Sequence, residues 1–177
     1  NGGTQNVAVG QSAAAAMTTG NQNTIIGTNA GDALTDADQN VAIGYLALTA
    51  DTLGSTSTAI GYNTLADQNF TTATSTYNTA VGYNAGGAVT TGVGNTIVGG
   101  LAGDALTEGQ YNSVLGRSAL SAATTGSFNV ALGSFSLLSN TTGADNVSVG
   151  YDSLANNTTA SYNTAVGRNA LKTNILG

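Results

Sequence analysis

A five-residue segment, Asn-x-apolar-aliphatic-Gly, returns at constant phase along the whole chain and leaves few folds open. It occurs at 6–10 (NVAVG), 23–27 (NTIIG), 40–44 (NVAIG), 78–82, 95–99, 112–116, 129–133, 146–150 and 163–167. The copy at 57–61 (STAIG) has Ser57 in place of the Asn. The closing glycines are Gly10, Gly27, Gly44, Gly61, Gly82, Gly99, Gly116, Gly133, Gly150 and Gly167. Successive glycines lie 17 residues apart, except that Gly61 and Gly82 lie 21 apart. A four-residue insertion within 67–75 accounts for that longer step.

A period this short cannot hold a helix pair or a propeller blade, but it suits one coil of a parallel β-solenoid. The 25 glycines and the dense Thr, Ser and Asn also disfavour helix. The expectation is an all-β chain: one β-solenoid domain, 1–177, of ten coils of about 17 residues, each with two or three short strands. At roughly 4.8 Å per coil, ten coils make a rod on the order of 50 Å long.

Alignment on the Asn separates the columns. The residue before the Gly is always a large aliphatic: Val9, Ile26, Ile43, Ile60, Val81, Val98, Leu115, Leu132, Val149, Val166. Two places earlier, on the same strand face, stand Val7, Thr24, Val41, Thr58, Thr79, Thr96, Ser113, Val130, Val147 and Thr164. Size assigns these two columns to the core. The column between them then faces out: Ala8, Ile25, Ala42, Ala59, Ala80, Ile97, Val114, Ala131, Ser148, Ala165. No residue in it is charged, and all 12 charged residues of the chain lie outside the five-residue segment. An uncharged outward column predicts a subunit interface there, and hence self-association.

The remainder of the coil is periodic too. Three residues past the Gly comes a small residue, then often a leucine (Leu48, Leu65, Leu120, Leu137, Leu154, Leu171), read as the core contact of a second strand. Thr-Thr-Gly turns (Thr18-Thr19-Gly20, Thr124-Thr125-Gly126) close many coils. The Asn column is expected to stack as a ladder of side-chain amides.

Composition excludes several kinds of chemistry. With no Cys there is no disulfide framework and no thiolate; with no His the commonest general base and metal ligand is missing. No enzymatic activity, catalytic residue, cofactor or metal is expected. A net charge of −6 with three basic residues (Arg117, Arg168, Lys172) argues against nucleic acid and anionic membranes. No apolar run approaches the ~20 residues of a membrane-spanning helix, so no membrane insertion by this segment is expected. Residue 1 is not Met, and neither end has a polar cap. The expectation is a piece of a longer shaft, or subunits that stack end to end.

The segments Val41-Ala42-Ile43-Gly44, Thr79-Ala80-Val81-Gly82 and Val130-Ala131-Leu132-Gly133 resemble the signature of YadA-like heads of trimeric autotransporter adhesins. Their extended form, Asn-Thr-Ala-Val-Gly-Tyr, is similar to repeats in phage and viral fibre proteins. The resemblance covers essentially the whole chain. It implies a left-handed parallel β-roll, a trimer with the small middle residue near the threefold axis, and a place on a cell or virion surface.

Tyr45, Tyr62, Tyr83 and Tyr151 follow the Gly in one column, and Tyr77, Tyr111, Phe128 and Tyr162 precede the repeat in another. Such columns can contact glycans or stack on themselves. Asp32, Asp36, Asp38, Asp104 and Glu108 read as solvated turn residues without the spacing of a calcium loop. Glycosylation sequons occur, such as those that begin at Asn69, Asn140 and Asn157. The expected function is an extracellular structural fibre or filament, the shaft or head of a trimeric surface adhesin. Its partners are copies of itself, cell-surface glycans or host matrix. A phage or viral tail-fibre shaft is the alternative. An ice-binding solenoid is disfavoured, because the strand threonines are assigned to the core.

Overall fold

Three residues of each repeat form a strand, and the strands stack in register. The computed structural model describes residues 2–174. The strands are β1 (Val7–Val9), β2 (Thr24–Ile26), β3 (Val41–Ile43), β4 (Gly54–Ser55), β5 (Thr58–Ile60) and β6 (Thr74–Ser75). They continue as β7 (Thr79–Val81), β8 (Thr96–Val98), β9 (Ser113–Leu115), β10 (Val130–Leu132), β11 (Val147–Val149) and β12 (Thr164–Val166). Ten of them make one parallel sheet in the order β1-β2-β3-β5-β7-β8-β9-β10-β11-β12, and β4 pairs with β6 in a second, two-stranded sheet. The fold is an all-β solenoid of about nine turns with no helix among the described residues.

One sheet runs the length of the stack, and the second strand expected in each coil is absent from most coils. Five of the leucines assigned to it are buried, but in turns: Leu48, Leu65, Leu120, Leu137 and Leu154 have φ between 47° and 55°. Leu171, in the last coil with no coil stacked beyond it among the described residues, is 51% exposed. Left-handed backbone breaks a strand. The column holds only Leu, Gly and Ala, and branching at Cβ would make that φ costlier still. The motif glycines turn harder, at φ 124–141°, where side chains are rarely accommodated.

The core reverses the predicted faces. The middle column of the strand points inward: Ile25, Ala42, Ala59, Ala80, Ile97, Val114, Ala131, Ser148 and Ala165 are buried. Ala8, in the first coil, is exposed. The column therefore cannot form a subunit interface, since its side chains meet those of their own chain. The flanking columns assigned to the core point outward, with Val9 57%, Leu115 54% and Val166 70% exposed.

The physical reason is the narrow bore of the coil. The interior takes the middle strand residue, the small residue three past the Gly, the Leu/Gly after it, and one residue three further on. Those positions trade volume. Ile25 and Ile97 sit in coils with Gly31–Leu34 and Gly103–Leu106, whereas Ala59, Val114 and Ala131 accompany Leu65–Gln68, Leu120–Ala123 and Leu137–Asn140. A Cβ on Gly31 would lie 2.8 Å from Leu34 Cδ1. Ala80, Gly86 and Val89 leave their coil short of volume, and the neighbouring Ile97 and Leu65 fill the space above Gly86. Such a core is filled by complementary choices, with little tolerance for one large residue more.

The Asn ladder runs beside the strand. Along the ladder an amide Nδ2 donates to a carbonyl of its own coil, as Asn95 does to Gly109 at 2.9 Å. Oδ1 accepts the backbone N–H of the same position in the next coil, as from Asn112 at 3.0 Å or, where the Asn is replaced, from Ser57 at 2.8 Å. In the long coil the extra residues lie between Asn69, whose N–H still reaches Thr90, and β6, leaving Thr71, Thr72 and Ala73 exposed.

Candidate functional site

The largest continuous feature is the outer face of the ten-stranded sheet. Parallel register places equivalent residues side by side, as in Ile43↔Ile60 and Val98↔Leu115. One row carries Val9, Ile26, Ile43, Ile60, Val81, Val98, Leu115, Leu132, Val149 and Val166. The other carries Thr or Val, with Ser113 once. None of these twenty positions is charged. In these rows Ile26, Ile60, Leu115 and Val166 count among the exposed large hydrophobic residues. The threonines placed in the core by the sequence thus face outward. They form no unbroken Thr row, because Val41, Val130 and Val147 interrupt it.

Beyond the motif glycine, Tyr45, Tyr62 and Tyr83 stack on three successive coils with ring centroids 5.4 and 5.2 Å apart and planes within 15°. About half of each side chain is exposed, while the ring faces meet their neighbours. The ladder ends at Gly100, which has open space around its α-carbon. Tyr151 stands apart from this trio: it meets Phe135 edge-on at 5.7 Å and lies under the Arg168 guanidinium at 5.5 Å. Arg117 covers the other aromatic, Phe135, at 5.2 Å. In the column before the Asn, Tyr111 stacks on Phe128 at 5.3 Å, and Tyr77 and Tyr162 are exposed.

The acids are tied into the stack individually. Asp32 accepts from Thr49 Oγ1, Asp36 from Thr19 Oγ1, Asp38 from the backbone of Asn21 and Asp104 from Ser121 Oγ, each across to a neighbouring coil. Among the described residues no group of three or more acids could hold a metal ion, and no pocket is present. Among the described residues no helix is long and apolar enough to cross a membrane. Of the sequon asparagines Asn69, Asn140 and Asn157, the first is exposed, whereas the other two are buried and stacked on each other at 3.0 Å.

Sequence reasoning missed the outer face because it assumed that larger side chains go inside. The signal that identifies the interior is compensation: residue size in the middle column varies against size elsewhere in the coil, whereas the Val/Ile/Leu row varies freely. No family model matches this chain, nor does any curated protein or solved structure.

Proposed function

We propose that this chain is the rod of an extracellular structural fibre whose copies associate through the outer face of the ten-stranded sheet. The carrying observation is that face: two parallel rows without a charge, one of them entirely aliphatic, on a chain of net charge −6. Leaving such a stripe in water is costly at roughly 25 cal/mol per Å² of apolar surface, and a second copy offers the same spacing in return. On this reading the β-roll is left-handed and the assembly a homotrimer, with the aliphatic rows toward its axis in place of the middle column. The shaft or head of a surface adhesin, with glycans or host matrix as its targets, is the favoured setting, and a phage or viral tail-fibre shaft is the alternative. No catalytic role belongs to the proposal. Light scattering with negative-stain imaging tests it: trimeric rods or longer fibres are expected, and a stable monomer at micromolar concentration would sink it.

A second reading gains support from the outward threonines. Thr24, Thr58, Thr79 and Thr96 share an in-register, uncharged face with aliphatic residues, a surface suited to ordering water against ice. Thermal hysteresis of the purified chain is the expected result on that reading, and ordinary freezing with unmodified crystal shape would remove it.

A further inference from the structure

The one coil that lacks the ladder Asn rebuilds that position with reactive groups. Ser57 stands where the Asn belongs, and Gln68 reaches across the coil interior to it. The Gln68 Nε2 lies 2.9 Å from Ser57 Oγ and 2.6 Å from Asp51 Oδ2, and its Oε1 accepts from Asn78 Nδ2 at 2.9 Å. Ser57 Oγ is 2.6 Å from Thr76 Oγ1, and Thr76 donates its own proton to the Ser55 carbonyl. The Ser57 hydroxyl therefore donates to Thr76 and turns a lone pair toward the Gln68 carboxamide. Asp51 Oδ1 is fixed by the backbone N–H groups of Gly54 and Phe70. Asp51, Ser57, Gln68 and Thr76 are fully buried, and Asn78 nearly so.

We propose that Ser57 and Gln68 join in an intramolecular ester, a modification built into the long coil. A turn of the Ser57 hydroxyl about its Cα–Cβ bond carries its lone pair from Nε2 to the face of Gln68 Cδ, leaving the carboxamide on Asn78 and Asp51. The Ser57 Oγ–Gln68 Cδ bond forms, and the Gln68 Cδ–Nε2 bond breaks. The hydroxyl proton ends on the departing nitrogen, which leaves as ammonia, so the step needs no oxidant, reductant or co-reactant. Each neighbour has a part. The Asn78 amide donates to the oxygen on which negative charge gathers, and the Asp51 carboxylate stands beside the nitrogen as it becomes basic and gains the proton. Burial holds nucleophile and acyl group together and keeps out the water that would hydrolyse the ester. The link spans the interior of one coil, where the amide ladder is interrupted and the chain carries its longest loop. It is independent of what the outer face binds.

Protease cleavage before aspartate, followed by mass spectrometry, tests this on the full chain. Asp67 separates the two residues, so cutting at Asp51, Asp67 and Asp104 yields peptides 51–66 and 67–103. From folded wild-type protein we expect a single joined species, lighter than the two peptides together by one ammonia and separated by alkaline hydroxylamine, which cleaves esters. Ser57→Ala should give two free peptides, and Ser57→Thr should restore the link. Two free peptides from folded wild type overturn the proposal even if Ser57→Ala fails to fold. A joined species that resists hydroxylamine overturns the ester.

Discussion

The side-chain amide of Asn112 stands directly on that of Asn95, its Nδ2 3.1 Å from Asn95 Oδ1, while it also donates to the Gly126 carbonyl at 3.0 Å. Its own Oδ1 takes the backbone N–H of Asn129 at 2.9 Å. One buried side chain therefore satisfies polar backbone in two coils. Asn112→Ala strands the Gly126 carbonyl and the Asn129 N–H, each worth about 1–3 kcal/mol when buried and unpaired. A loss of about 2–5 kcal/mol in chemical denaturation is expected. Asn112→Ala within a few tenths of a kcal/mol of wild type would mean that the ladder is decoration.

The volume trade inside the coil gives a sharper forecast. Gly31→Leu sets a new side chain against Leu34 Cδ1 and Ile25, an overpacking expected to cost about 1–3 kcal/mol. Leu34→Ala opens a cavity costing about 2–5 kcal/mol. Combined, they recreate the Leu120–Ala123 pairing of a later coil. The double variant should be more stable than the sum of the two losses by at least about 1 kcal/mol. Additive losses would contradict the shared-bore account.

Two adjacent glycines should respond oppositely to one methyl group. A Cβ on Gly99 would lie 2.5 Å from the Gly116 carbonyl oxygen at φ +136°, whereas one on Gly100 meets nothing within 4 Å. Thermal melts should show Gly99→Ala destabilised by about 3 kcal/mol or more and Gly100→Ala close to neutral.

These contrasts explain what the sequence made legible. The period, the strand positions and the Asn ladder follow from spacing, because a parallel stack lines up whatever recurs. Facing did not follow from hydrophobicity, since Ala42 and Ile43 are both apolar and a strand can bury either. Bore width decides it: Leu48 already occupies the interior opposite Ala42, so Ile43 goes out. The turn leucines were recognised as core but not as turns, because φ near 50° at Leu is a tertiary imposition against local preference. The Gln68–Ser57–Asp51 cluster was invisible for another reason. Asp51 and Gln68 share one interior position of successive coils, where most other coils carry an apolar residue, and Ser57 stands in the Asn column, so the periodicity gave no reason to single out the three together.

The most direct test of the assembly claim compares the mass in solution and the β-sheet circular dichroism of wild type, Leu115→Lys and Ala131→Lys. If the outer rows join copies, wild type is an oligomer and Leu115→Lys falls toward the monomer mass with its sheet signal intact. Ala131→Lys, forcing a charge into the bore, loses the sheet signal itself. An Ala131→Lys chain that stays folded and merely dissociates, or a Leu115→Lys chain with the mass of wild type, would contradict the account.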